Sequence, residues 1–119
     1  MGVKMKESIK SIMEWHEQTF PDATIVGQIH KFQEELKEYK ESGKISELVD
    51  MFVVACGTAR FNYIIAMKYF SIVFVSLCAT EIKSGDFYLM VDDKMAKNRR
   101  RVWNKTGEGV YHHKNGIED

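Results

Sequence analysis

One proline and eight glycines in 119 residues leave few places where this chain must turn. That scarcity argues against a β-sandwich or barrel, which need frequent turns, and favours helices. Two cysteines are too few for a disulfide framework. Cys56 and Cys78 both stand in apolar runs, where such residues are typically small buried hydrophobes of a reducing compartment; a single bridge is the alternative. An excess of either charge is missing too, since 17 Lys and Arg meet 17 Asp and Glu. Without a basic excess, a general nucleic-acid coat and a membrane-surface binder are disfavoured. The longest membrane-like run, Tyr69 to Ala79, lies between Lys68 and Glu81 and is about half of what a bilayer span requires, so it reads as core. The start of the chain lacks an apolar stretch with a cleavage site, and Lys6 stands where a myristoylation pattern needs Ser or Thr. The expectation is one cytoplasmic domain over residues 1–119, without internal repeats, nucleic-acid partner or membrane.

What is present is helical periodicity. Met5, Ile9, Ile12 and His16 fit a short helix from about Lys4 to Gln18, ended at Phe20-Pro21-Asp22. Ile25, Ile29, Phe32, Leu36 and Tyr39 step by four and three along a second helix, about Thr24 to Glu41. Ser42-Gly43 supplies its stop, and Ser46 can cap the next helix. From Glu47 to about Met67 the apolar residues surround the axis, with an open boundary near Arg60-Phe61-Asn62. A helix apolar all round is buried by its own chain or by a partner. The Phe70 to Leu77 run is rich in β-branched residues but has no partner strand in view, so the helical reading is extended through it. A last helix runs from Asp86 to Trp103, and Asn104 to Asp119 reads as a polar tail. The predicted fold is an all-α bundle of about four to five helices.

Two acidic clusters stand close in sequence. Glu35 and Glu38 are three residues apart, as are Glu47 and Asp50, and that spacing puts each pair on one helix face. A hairpin between the two helices brings the pairs together. Four convergent carboxylates repel one another unless a cation neutralises them, and an all-oxygen set suits Mg²⁺, Mn²⁺ or Ca²⁺ rather than Zn²⁺. The plain account is that glutamate is a good helix former on solvated faces and that Glu47 and Asp50 complement a helix N-terminus. Against it, Glu35 lies beside the apolar stripe of its helix while Leu48 and Val49 lead a buried one. Lys94, Asn98 and Arg101 form a polar row on the last helix that can hold phosphate oxygens, or simply complement the helix dipole. His16 and His30 are each alone on a helix and read as ordinary histidines rather than ligands. Trp15 and Trp103 read as core or subunit interface first and as base-stacking groups second. His112 and His113 fall in the tail.

The order Glu34-Glu35-x-x-Glu38 and Glu47-x-x-Asp50 resembles the all-α, MazG-like nucleoside triphosphate pyrophosphohydrolases. More narrowly, Trp15-His16-x-x-Thr19-Phe20-Pro21, Gly27-Gln28-Ile29, Gly57-x-x-Arg60-Phe61 and Lys94-Met95-x-x-Asn98-x-x-Arg101-x-Trp103 are similar to the phage-type dATP/dGTP pyrophosphohydrolases. The resemblance implies Mg²⁺-dependent conversion of a (d)NTP to monophosphate and pyrophosphate, with Mn²⁺ as a substitute. It implies that Glu35, Glu38, Glu47 and Asp50 ligate the metal, that Glu34 assists as acid or base, and that Lys94, Asn98 and Arg101, with Trp103 beside them, contact the substrate. It also implies a dimer or tetramer assembled through apolar helices, in the host cytoplasm if the protein is phage-encoded. The loop between the acidic clusters is shorter than in many members, which leaves less room for a base pocket there. Competing readings are a non-enzymatic helical scaffold or regulator and, on the Arg-rich last helix, a small DNA-binding regulator.

Overall fold

The computed structural model describes residues 6–101, 103–105 and 111–113. Five helices account for most of them: α1 (Ile9–Thr19), α2 (Ile25–Ser42), α3 (Ile45–Thr58), α4 (Tyr63–Cys78) and α5 (Ser84–Arg100). The all-α bundle expected from the sequence is present, with a two-stranded antiparallel hairpin, β1 (Trp103–Lys105) and β2 (Tyr111–His113), appended to it. That hairpin corrects the reading of Asn104 to Asp119 as a polar tail at residues 104, 105 and 111–113; the rest of that stretch lies outside the described residues. Its strands are three residues each, too short for an alternating pattern to register.

Local chemistry sets the helix ends. Ser8 and Ser11 form a reciprocal capping box on α1, each hydroxyl accepting the other's backbone N–H. The Thr24 hydroxyl accepts from Gly27 N and starts α2. Gly43 ends α2 in the left-handed conformation, φ 68°, with its N–H on Tyr39 O, which is the cap glycine adopts without strain. Ser46 is not the cap of α3: that helix begins at Ile45 and its N-cap, Lys44, makes no side-chain bond. Only Gly43 and Lys44 separate α2 from α3, so the two form a tight antiparallel hairpin.

The segment from Glu47 to Met67 is two helices, not one. The chain turns after Thr58, and Asn62 restarts it by accepting the Ile65 N–H at 3.0 Å. The break falls at the boundary left open near Arg60-Phe61-Asn62, which periodicity alone could not settle because apolar residues occupy both sides of it. The Phe70 to Leu77 run is helical, in α4. Helix α5 starts two residues before Asp86 and stops at Arg100, so Arg101 is its C-cap, in extended conformation, and Trp103 belongs to β1.

Helix α3 is the axis of the bundle and packs against α1, α2, α4 and α5. Every residue from Met51 to Ala59 is buried. Its all-round apolar surface is therefore covered by its own chain. Phe52 meets Phe70, Phe74 and Phe87 at ring-centroid distances of 5.5 to 6.0 Å. The apolar surplus lies on α4 instead, where Ile64, Met67 and Val75 are 77%, 66% and 71% exposed. Both thiols are free; Cys56 is buried as expected, but Cys78 is exposed on α4.

A buried polar network locks α1, α2 and α3 together. Arg60 Nη1 donates to His16 Nδ1 at 2.8 Å and to Phe20 O at 3.0 Å. Because a guanidinium only donates, His16 Nδ1 must accept, which puts the imidazole proton on Nε2. That N–H donates to Gln28 Oε1 at 3.0 Å, and Gln28 Nε2 donates to Val54 O at 3.1 Å. Burial, then the Arg60 charge, lowers the His16 pKa to about 4, so the ring stays neutral near pH 7. The chain's beginning is tied to α5: Lys6 N and Glu7 N donate to the Asp92 carboxylate, and Arg99 forks onto Glu7 at 2.9 and 2.7 Å.

Candidate metal centre

The α2–α3 hairpin sets Glu35, Glu47 and Asp50 face to face, each offering a carboxylate oxygen within 4.8 Å of the others. Glu35 falls three residues after Phe32, which anchors the buried stripe of α2, and is turned inward with it. Asp50 and Glu47 lie one turn apart on α3, at its N-terminal end. Three of the four carboxylates in the predicted pairs are thus brought together, without Glu38, and the trio is buried on its Glu35 side.

Glu35 decides the character of the site. It is 6% exposed. Its Oε1 accepts from Lys31 Nζ at 3.2 Å, one turn earlier on α2. Its Oε2 is buried with no donor, and Glu47 Oε2 is in the same condition. Buried polar atoms nearly always have partners, so two orphaned carboxylate oxygens at one point are suited to accept a cation. Burial first, then the charge of Asp50, pushes the Glu35 pKa up to about 8, against the pull of Lys31. Burial and the neighbouring Glu38 and Asp50 charges likewise raise Glu47, although its contact with Glu35 pulls it down. Both shifts record burial first and the crowding of like charges second.

Lys94, from α5, supplies part of that charge. Its ammonium stands 3.3 Å from Asp50 Oδ1. Lys31 and Lys94 therefore brace the trio from two helices, each on a different carboxylate. Lys31 was not among the residues singled out from sequence. Its signal was the Lys31–Glu35 spacing of one helical turn, which elsewhere marks an ordinary surface pair.

The other expected site residues sit further out. Glu38 and Glu34 are exposed. Glu38 borders the trio, and its charge reaches both Glu35 and Glu47; that of Glu34 reaches Lys31. Asn98 is buried, one helical turn beyond Lys94, and its Oδ1 accepts from Arg101 Nη1 at 3.0 Å. Trp103 donates its indole N–H to Asn98 O, lies under the Arg101 guanidinium at 5.8 Å, and meets Trp15 and Phe20 edge-on. Arg101 and Trp103 thus form one unit with Asn98, past the helix end. His16 is committed to the Arg60–Gln28 network. His30 is exposed.

A carboxylate trio of this kind, with oxygen-only donors, fits a hard divalent cation. Comparison with known proteins gives one relevant likeness. A protein of Salmonella phage PMBT28 named "dATP/dGTP diphosphohydrolase" is 28% identical over 104 residues, 87% of this chain. The chain spans 29% of that relative's length. A stretch of 104 in 119 residues necessarily spans the α2–α3 hairpin. No family model and no solved structure matches the chain. No helix among the described residues is long and apolar enough to cross a membrane.

Proposed function

We propose that this protein is a Mg²⁺-dependent nucleoside triphosphate pyrophosphohydrolase. Its reaction cleaves the α–β phosphoanhydride of a (d)NTP, with dATP and dGTP as the first candidates, and yields the monophosphate and pyrophosphate. The observation that carries this reading is the buried, donorless Oε2 of Glu35 opposite Glu47 and Asp50. The name of the phage relative supports the choice of nucleotide chemistry.

Glu35, Glu47 and Asp50 would hold the cation, with Glu38 completing the set from its exposed side; Mn²⁺ would substitute for Mg²⁺. Bound there, the cation would neutralise triphosphate charge and favour deprotonation of an attacking water. Glu34, exposed and next to Glu35 in sequence, would be the acid that orients that water. Lys94 offers a point charge to a phosphate and Arg101 a fork, held in aim by Asn98 and by the Trp103 ring beneath it. We further propose a homo-oligomer, dimer or tetramer, with the exposed α4 face as its contact, acting in the cytoplasm, that of a host if the protein is phage-encoded.

The test is incubation of the purified protein with each common dNTP and NTP, with Mg²⁺ or with chelator, and resolution of the phosphorus products. Monophosphate plus pyrophosphate, abolished by chelator, is the expected result. Diphosphate plus orthophosphate would reject attack at the α-phosphorus. Intact nucleotides from a folded protein would reject the enzyme and favour a non-enzymatic helical oligomer.

A further inference from the structure

Lys31 is held to the site by more than one constraint. Its neighbour Phe32 is fully buried and stacks on Tyr69 of α4, with centroids 3.7 Å apart and ring planes within 2°, which fixes this turn of α2. The Lys31 side chain is 28% exposed, and its ammonium rests on Glu35 Oε1. Lysine one turn before glutamate is the poorer order for helix stabilisation, so the pair does not explain itself as a support for α2.

Charge explains it better. With every carboxylate deprotonated, the trio and the bordering Glu38 against Lys31 and Lys94 leave two net negative charges. A divalent cation brings that balance to neutral, and only then does the site cease to repel a polyphosphate. Without the Lys31 charge, the same cation would leave the site negative. The ammonium therefore has two opposite effects: it competes with the cation for Glu35, and it removes the remaining repulsion of an anion once the cation is in place.

Resting on the function proposed above, we propose that Lys31 is a positioning and polyphosphate-recognising residue of this site, sharing Glu35 with the divalent cation and supplying the positive charge without which the cation-loaded site would still repel a nucleotide. Holding one Glu35 oxygen also keeps the other directed into the trio.

The test uses Lys31→Met, which keeps most of the aliphatic stem, and Lys31→Arg, which keeps the charge. Binding of Mn²⁺ alone is followed by loss of the free-ion electron paramagnetic resonance signal, and binding of α,β-methylene-dATP is followed by calorimetry at saturating Mn²⁺. The Met variant is expected to bind Mn²⁺ about three- to tenfold more tightly and the analogue about tenfold more weakly, with Arg restoring analogue binding. Lys31→Gln provides the same comparison if the Met variant does not fold. Loss of both affinities together would mean a purely structural role and would overturn the proposal, as would no change in either. Wild-type protein that binds neither Mn²⁺ nor the analogue would overturn the functional reading and this proposal with it. Wild-type binding that the Met variant reproduces would overturn the proposal alone.

Discussion

Gly57 and His16 approach so closely that no side chain fits between them: a Cβ on Gly57 would lie 2.6 Å from His16 Cδ2 and 2.8 Å from its Nε2. The imidazole cannot move aside, because Arg60 holds one nitrogen and Gln28 the other. The glycine is there for close approach of helix backbone to a ring, not for a turn.

Gly57→Ala is therefore expected to lose about 1–3 kcal/mol of stability, the usual range for overpacking a core. His16→Ala alone removes one hydrogen-bond partner from Arg60, which keeps Phe20 O, and one from Gln28, which keeps Val54 O, and should cost a comparable amount. The double variant relieves the clash, so its loss should fall short of the sum, measurable by urea titration of all four proteins. Strict additivity would show that the alanine is accommodated elsewhere.

Stability of the cation-free protein should fall as pH rises from about 6.5 to 8.5. Glu35 binds its proton up to about pH 8 when folded but only up to about 4.5 when unfolded, so across that interval the native state holds the extra proton and raising pH removes the advantage. Glu47 acts in the same direction. His16 acts oppositely, but only between its folded value of about 4 and its unfolded 6.5, so above that window it is silent. A decrease in Tm of several degrees in chelator is expected, since about 1 kcal/mol corresponds to roughly 4–8 °C in a domain near this size. Saturating Mn²⁺ should flatten the profile, because cation binding requires the deprotonated carboxylates. A Tm that climbs over this range would contradict the raised Glu35.

Replacing single acids should separate stability from activity. Glu35→Gln keeps the shape and removes a charge that has too little compensation, so the cation-free variant should be as stable as the parent or more stable at pH 8, while turnover falls by at least about two orders of magnitude. Asp50→Asn should lose turnover similarly, but with a small stability loss: each change releases a lysine, Lys31 or Lys94, and only at the more deeply buried Glu35 does relief of desolvation outweigh that. Paired melting curves and phosphate-release rates give both numbers.

The exposed α4 face can be tested directly. Met67→Glu places a charge on a side chain 66% exposed in the single chain, where an isolated protomer should tolerate it within about 0.5 kcal/mol. Light scattering after size exclusion is expected to show a smaller species than the parent, with the helical spectrum kept. Equal masses for variant and parent would remove α4 from the interface.

Much of this was legible because it is local. The α2 stripe, the Gly43 stop and the two acidic pairs each depend on residues within a turn or two of one another. The inward turn of Glu35 could be read from its place beside Phe32 and Leu36. The break between α3 and α4 could be read only as an open boundary near Arg60-Phe61-Asn62, since what holds it is Arg60 on His16 and Phe20, remote in sequence. The partner of Lys94 could not be read: a row of basic residues near the end of a helix reads the same whether it faces solvent or an aspartate on α3. Lys31 was hidden for the opposite reason, its spacing being too ordinary.

The tight link at Gly43–Lys44 also orders events in time. Everything from Glu35 to Asp50 is gathered by one short loop, whereas Lys6 and Glu7 meet Asp92 and Arg99 only after nearly the whole chain has been laid down. Contacts between neighbours in sequence close at small entropic cost and form early in refolding; those joining the two ends close late. Pulse-labelled hydrogen exchange should accordingly protect amides of α2 and α3 before those of α1, so that the acidic trio is assembled while the rest of the molecule is still finding its place.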